Sequence, residues 1–385
     1  MMMKNIHILN YTKSIGLSCC MGLLLLIGCS KKDKTVLPED NSPQEFNRTE
    51  LLTNYADKYI KPAYTAYYNE VNSLKSEVGS FNNSPTIASL QGLRTKWENT
   101  LLIWQDVAFL EFGPAANISL RAQTNVYPVD TALINSNVLS GSYNLSAASN
   151  FDAKGFQTID YLLNGVASND MHIVTYFINN ANAKNFLQEV IDDLETNAKS
   201  VNTTWKNTYG ASFIANSASN AQGSSISDIV NALTQHYESY VRKGKIGLPA
   251  GVFNGFSQQP MPQHVEAYYS DKSLPYVYRS LSSLQKFING NAYDNSSSGS
   301  GLDDYMVFVD AQNNGAALHT VINNQFSAIK TELDKINDPL SNEVSTNNTA
   351  VKAVYQKMQQ MVGYLKVDMT DALEVLITYQ DSDGD

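Results

Sequence analysis

Gly155-Phe156-Gln157-Thr158-Ile159-Asp160-Tyr161-Leu162-Leu163-Asn164-Gly165 is the stretch on which the reading of this chain turns. Phe156, Ile159, Leu162 and Leu163 recur with a helical rhythm, the mark of a buried helix face. Gln157 and Asp160 are three apart, so a helix places both on one face, and polar groups enter an otherwise apolar segment at a defined spacing. Gly155, at the start, lets another backbone or a ligand come close.

The same period recurs on either side. Leu51, Leu52, Tyr55, Tyr59, Tyr64, Tyr67, Tyr68, Val71, Leu74 and Val78 make one stripe, with Pro62 expected to kink or break it. Ile87 to Val107 makes a second, expected to stop at Gly113-Pro114, and Phe186 to Trp205 a third. Ser225 and Asp228 have capping-box spacing ahead of Ile226, Ile229, Val230, Leu233, Tyr237 and Tyr240. Further helices read at 277–288, 318–336 and 351–365, and Tyr293 to Gly301, rich in Ser, Asn and Gly, reads as a loop. No alternating run is long enough for a sheet, so the fold class is all-α, with helices packed as bundles. The polar stretch 211–225 is the natural boundary between a helical bundle over 46–210 and another over 226–385.

The first residues set location. Lys4 and Lys13 precede an apolar run from Ile15 to Ile27, which is too short and wrongly flanked for a membrane span and reads as a leader over 1–28. Leu26-Ile27-Gly28-Cys29 looks like a bacterial lipobox, so Cys29 is expected to be acylated (palmitate among its chains) and to become the mature N-terminus. Residues 29–45, with Lys31-Lys32-Asp33-Lys34, read as a flexible tether. Ser30 favours the outer membrane, with the protein facing the periplasm or the cell surface. Cys19 and Cys20 fall inside the leader, which leaves the mature chain no disulfide.

Across its 385 residues the chain carries a net charge of −10. An acidic body argues against nucleic acid and against direct docking on anionic lipid, since both need clustered Lys and Arg. Membrane attachment is expected through the acyl chains on Cys29 instead. The 22 tyrosines invite phenolate ligation of ferric iron, but their helical spacing reads better as interface lining with hydroxyls at the rim.

Four further segments carry a resemblance. Trp97-Glu98 runs through Trp104 to Phe112-Gly113-Pro114. Tyr127-Pro128-Val129-Asp130 forms a turn. Lys245-Ile246-Gly247-Leu248-Pro249 precedes Val265-Glu266-Ala267-Tyr268-Tyr269-Ser270. With the central stretch, and in this order, they resemble the imelysin family, whose signature is G-x-H-x-x-E. Two letters depart from it: Gln157 stands where the family has histidine and Asp160 where it has glutamate, and Tyr127 replaces a tryptophan. The resemblance implies two four-helix-bundle-like halves with the signature near their interface, and iron uptake as the associated process.

Histidine and glutamate one turn apart can grip one metal ion, but an amide oxygen is a weak, hard ligand that suits calcium-like ions and activates water poorly. No H-E-x-x-H occurs, so the peptidase activity first ascribed to the family is not expected here. If the family fold holds, Asp130, Asp160 and Glu266 are the oxygen groups left to bind a metal, iron or another divalent ion held weakly. With Gln157, Tyr127 and Ser270 they could form a pocket for a small ligand or metal chelate. Equally, Asp160 and Glu266 could pair with Arg94, Arg121, Arg242 or Lys245 and fix the halves together. Of the histidines outside the leader, His236 reads as a satisfied core residue, and His172 and His319 stand apart. His264, two residues before Glu266, is the one near a motif. The expected function is a non-enzymatic binding lipoprotein associated with iron uptake, with a small ligand or metal chelate and an outer-membrane protein as its candidate partners. The alternative is a structural or partner-binding lipoprotein with a vestigial site. The end, Asp381-Ser382-Asp383-Gly384-Asp385, reads as a solvated acidic tail.

Overall fold

The stripe that opens at Leu51 folds as one run of helical backbone: α1 (Arg48–Asn54), a π-helical stretch Tyr55–Ile60, and α2 (Lys61–Asn83). Asn47 starts it by accepting the Glu50 N–H at 3.1 Å, which satisfies one of the orphan donors of a helix start. Pro62 does not break the run. It lies in the first turn of α2, directly after the π-helical stretch, where a missing N–H is tolerated. This computed structural model describes residues 45–380; the leader, Cys29, the tether to residue 44 and the end 381–385 lie outside the described residues.

A capping box of Thr86 and Ser89 opens α3 (Ile87–Trp104), which ends at Trp104 rather than running on to Gly113-Pro114. Three short helices follow, α4 (Pro114–Asn117), α5 (Leu120–Thr124) and α6 (Thr131–Ser140). The signature stretch forms α7 (Gly155–Asp160) and a π-helical turn Tyr161–Gly165. Next come α8 (Asp170–Asn179), α9 (Ala181–Thr204) and α10 (Gly210–Ala215). Ser224, one residue before the expected cap, starts α11 (Ser225–Gln235) by accepting the Ser227 N–H, and α11 runs on as a π-helical stretch His236–Gly247. The remaining helices are α12 (Leu274–Ile288), α13 (Leu302–Phe308), α14 (Leu318–Leu333), α15 (Leu340–Thr346), α16 (Asn348–Val362) and α17 (Thr370–Ala372). A two-stranded ladder, β1 (Gln312–Asn313) with β2 (Ala316–Ala317), is the small exception to an all-α protein.

Among the early helices, α2 lies against both α3 and α9, and α7 packs on α3 and α9. Later in the chain, α16 packs on α14 and on the His236–Gly247 stretch, and α12 touches that stretch, α14 and α3. The α3–α12 contact brings residues from both parts of the sequence to the signature. One apolar core continues from Leu51 to Val375, and the described residues from Phe46 onward cluster as one compact unit. Between α10 and α11, Asn220 accepts from Arg48 Nε at 2.9 Å and donates to Tyr305 Oη at 2.7 Å, which pins this link to the helices.

The tyrosine reading needs correction in one respect. Tyr55, Tyr59, Tyr64 and Tyr67 do line helix interfaces, but they are fully buried, and their hydroxyls do not sit at a rim. Tyr59 donates to the Asp106 carbonyl at 3.2 Å and Tyr64 to the Leu110 carbonyl at 3.0 Å; Tyr55 accepts the Leu302 N–H at 2.8 Å. Tyr55, Tyr59 and Tyr64 thus tie a helix to backbone that the helix pattern leaves unpaired, while the Tyr67 hydroxyl has no hydrogen-bond partner among the described residues. Among the described residues no helix is long and apolar enough to cross a membrane.

Candidate functional site

The short helix α7 is held by what surrounds it. Gly155 has φ of +73°, and a Cβ there would collide with the Thr124 carbonyl, so the close approach expected of this glycine is that of backbone. Trp97 donates its indole N–H to the Phe156 carbonyl at 3.0 Å. Phe156, Ile159, Leu162 and Leu163 are buried as their spacing predicts. Gln157 and Asp160 are buried too, so α7 is enclosed on every side and its polar face must find internal partners.

Both partners lie on one loop. Gln157 Oε1 accepts the Ala267 N–H at 2.8 Å, and Asp160 Oδ2 accepts the Tyr269 N–H at 2.9 Å. Side chains three apart on a helix thus grip N–H groups two apart on a turn. Ala267 adopts φ of +56°, a left-handed conformation unusual for alanine, at the centre of this grip. Asp160 Oδ1 also accepts from Asn164 at 2.9 Å, and Ser270, which donates to the Ala267 carbonyl at 3.1 Å, lies close enough to favour the Asp160 charge.

A second network runs from the other end of Gln157. Its Nε2 donates to Asn125 Oδ1 at 2.8 Å, and Asn125 Nδ2 donates to Glu266 Oε1 at 2.7 Å. Gln105 donates to the same Glu266 oxygen at 3.1 Å, while Lys245 closes an ion pair with Glu266 Oε2 and donates to Gln105 Oε1 at 3.0 Å. Ser280 on α12 completes the set by donating to Gln105 Oε1 at 2.8 Å. Every polar atom of this chain of side chains is thereby engaged, as a buried network requires. Asn125 and Gln105 were not foreseen; a buried glutamine one residue past Trp104 looks in sequence like any helix-end polar residue.

Of the expected carboxylate trio, two members approach the signature and one does not. Asp130 is exposed and caps α6 by accepting the Leu133 N–H at 2.9 Å. Glu266 is taken up by Lys245, Gln105 and Asn125. Asp160 draws no cation: Arg94 goes to Asp170 at 2.7 Å, and Arg121 to the Ala108 carbonyl at 3.0 Å. Among the described residues no group of three or more His, Cys, Asp or Glu side chains is placed to hold a metal ion. The donor set therefore does not fit the metal that a histidine–glutamate signature implies: the Gln157 oxygen faces an N–H, and the Glu266 charge is already neutralised.

Electrostatics agree. Burial pushes the Asp160 carboxyl up to about 7 against the opposing pull of the Tyr269 N–H, Asn164 and Ser270, so near neutrality it is poised between acid and carboxylate. Lys245 is lowered by burial, with the Glu266 charge resisting. Burial and then the Glu266 charge raise the Tyr127 phenol well above its usual range, so it stands as a neutral hydroxyl in the metal-free protein. His236 is buried and lowered, stacks on Tyr240 with ring centroids 5.9 Å apart, and has no hydrogen-bond partner among the described residues, so it is a core residue but not a satisfied one.

Tyr127 stands between two cavities. The smaller, about 120 Å³, is lined by Gln157, Tyr127, Tyr268 and Tyr269. The larger, about 310 Å³, is lined by Arg121, Asn125, Tyr127, Tyr240 and His264 among others. His264 thus does touch the candidate site, while His172, exposed, and His319, half-buried, line neither cavity.

Fold and site together define an all-helical protein in which the central signature is a buried hydrogen-bonded clamp bordered by cavities. The chain belongs to the imelysin family (peptidase M75), whose model matches residues 60–368. Two crystal structures are similar. One, described as an iron-regulated protein A precursor from Parabacteroides distasonis, superposes with a TM-score of 0.71 at 16% identity, covering 87% of this chain and 97% of that one. Another, an imelysin-like protein from Psychrobacter arcticum, gives a TM-score of 0.60 at 15% identity, covering 86% of this chain and 97% of that one. No curated protein matches.

Proposed function

We propose that this protein is a non-enzymatic binding lipoprotein of the cell envelope, anchored through Cys29 to the outer membrane, that takes a small ligand in the cavities beside Tyr127. The observation that carries this reading is the division of labour at the signature. Gln157, Asp160 and Glu266 are consumed in holding the 265–270 loop, whereas the walls that this loop and the Tyr127 turn raise around the cavities keep groups free for a ligand. A pocket of a few hundred Å³ with apolar walls and a few convergent polar groups is the usual form of a small-molecule site. Among the described residues no hydrogen-bonded nucleophile–base pair and no metal-ligand set lines it, which favours binding over turnover. Iron uptake as the process rests on the family and on the description of the Parabacteroides relative as iron-regulated, and an iron chelate is one ligand of suitable kind.

A second reading, a structural or partner-binding lipoprotein with a vestigial site, draws support from the clamp itself, since a site given over to internal hydrogen bonds also fixes two parts of a chain together. Titration of the mature chain in detergent with ferric iron, zinc, haem and small organic ligands separates the two. Saturable binding of any of these, weakened by substitutions lining the cavities, is expected; no binding by a folded protein would leave the structural reading. Cys29→Ser should abolish membrane fractionation of the mature form, and a variant anchored like wild type would refute acylation at Cys29.

A further inference from the structure

We infer that the 310 Å³ cavity recognises an organic carboxylate, with the carboxylate seated on Arg121 and an apolar or aromatic body lying between Tyr127 and Tyr240. This rests on the ligand-binding reading above and names the class of ligand for it.

The argument begins with an incompletely used cation. Arg121 is 8% exposed, yet it forms no ion pair with any carboxylate among the described residues. Its Nε and Nη2 both go to one acceptor, the Ala108 carbonyl, at 3.3 and 3.0 Å. The Tyr240 ring lies against the guanidinium at 3.9 Å. Glu111 is nearby, but its oxygens accept the Arg121 backbone N–H, at 3.3 and 3.1 Å, rather than the guanidinium. A guanidinium has five N–H donors in a planar fork, and among the described residues Nη1 has no hydrogen-bond partner. Glu111 offsets the charge through space and Tyr240 covers one face, so what remains open is the hydrogen-bonding edge of the fork, which suits an incoming acceptor.

The rest of the lining says what completes it. No acidic side chain lines the cavity; Ser239, Tyr240, Tyr127 and His264 bring hydroxyl and imidazole groups, and Leu248 and Val126 bring apolar surface. None of the Ser239, Tyr127, Tyr240 or His264 side chains makes a hydrogen bond within the described residues, so donors face an acceptor-poor space. Two carboxylates lie behind this lining: Glu111, on the Arg121 backbone N–H, and Glu266, behind Asn125 and neutralised by Lys245. One cation, several neutral donors and two aromatic faces match a ligand with one carboxylate and a compact apolar body. A phosphate dianion would want a second cation.

Such a carboxylate could arrive free or as part of a metal chelate, and the test separates the two. The mature full-length chain in detergent is titrated by calorimetry with benzoate, with its neutral isostere benzamide, and with salicylate alone or as its ferric complex. Benzoate should bind at least tenfold more tightly than benzamide, and Arg121→Gln should weaken benzoate at least tenfold with its circular dichroism unchanged. Tighter binding of ferric than of free salicylate would identify the chelate as the source, and the reverse the free acid; both support a carboxylate site. Should Arg121→Gln fail to fold, a crystal of the wild-type protein grown with benzoate decides, because density on Arg121 supports the inference and density elsewhere overturns it. Equal affinity for benzoate and benzamide, or carboxylate affinity indifferent to Arg121→Gln, would also overturn it. Haem or metal binding without carboxylate binding would defeat this inference and leave the binding reading standing; no binding of any ligand would defeat both.

Discussion

Lys245 and Glu266 form an ion pair almost wholly removed from water, 3% and 1% exposed at their side chains, joining the π-helical stretch after α11 to the loop that α7 grips. Taking two charges out of water is expensive, and the pair is tolerable because Gln105 and Asn125 satisfy what the two ions leave unmatched. Glu266→Gln should therefore destabilise the protein by about 3–5 kcal/mol, because Lys245 is left charged and buried. The double substitution Lys245→Met with Glu266→Leu should recover much of that loss. Urea denaturation measures both, and a single-mutant cost below about 1 kcal/mol would show that the pair is open to solvent.

Asp160 makes stability pH-dependent in a direction opposite to that of most aspartates. Its folded pKa is about 7 against an unfolded value of 3.8, so between these the folded state holds a proton that the unfolded state has lost. The contribution to stability is full below the unfolded value, falls as pH rises through the window, and levels off above about 7, with a slope of roughly 1.4 kcal/mol per pH unit. Asp160→Asn should remove this slope, so wild type should lose about 2 kcal/mol more than the variant between pH 5 and 6.5. Parallel denaturation curves for the two proteins across that range would be inconsistent with a buried, proton-holding Asp160.

Gln157 serves the Ala267 N–H with one end and Asn125 with the other. Gln157→Ala should cost about 1–3 kcal/mol by stranding both buried partners. Gln157→His should cost less, because one ring nitrogen can accept while the other donates, the same pair of roles. Thermal denaturation of the two variants gives the order, and a histidine variant weaker than the alanine one would mean the pocket has no room for a ring.

Gly155→Ala should destabilise by about 3 kcal/mol or more, since it adds left-handed backbone strain to a collision with the Thr124 carbonyl. Gly363→Ala, at a helical position with nothing within contact distance of the added methyl, is the matched control and should be neutral or stabilising. Equal melting temperatures for the two variants would contradict the close approach of backbone at Gly155.

Much of the fold was legible because burial and helical period coincide. The stripes from Leu51 and Ile87, and those closing on Trp205 and Leu233, are helices whose apolar faces are buried, and the Ser, Asn and Gly stretch 293–301 is a loop. What failed was at ends and in the smallest helices: α3 stops at Trp104 before its Gly-Pro sequence, and the capping serine is Ser224. Ends are decided by a few local hydrogen bonds, to which an apolar period is blind.

At the site, the sequence with its family resemblance named several of the residues that meet there, but it included Asp130, which caps α6 instead, and missed Asn125 and Gln105. Gln157, Asp160, Glu266 and Ser270 share one neighbourhood, and Gly155 is required by a close backbone approach, because motif order and spacing reflect how this chain is built. What each does was decided by tertiary structure. Whether Glu266 meets a metal or Lys245, whether Asp160 finds a cation or only N–H groups, and whether Arg121 is paired or left facing a cavity are matters of partners more than ten residues distant in sequence. Local sequence fixes a side chain's chemistry and its face of the helix; the packing of α3, α7, α12 and the 265–270 loop fixes its neighbours, and the neighbours decide which carboxylate is neutralised by a cation, which meets only N–H donors and which guanidinium borders a cavity.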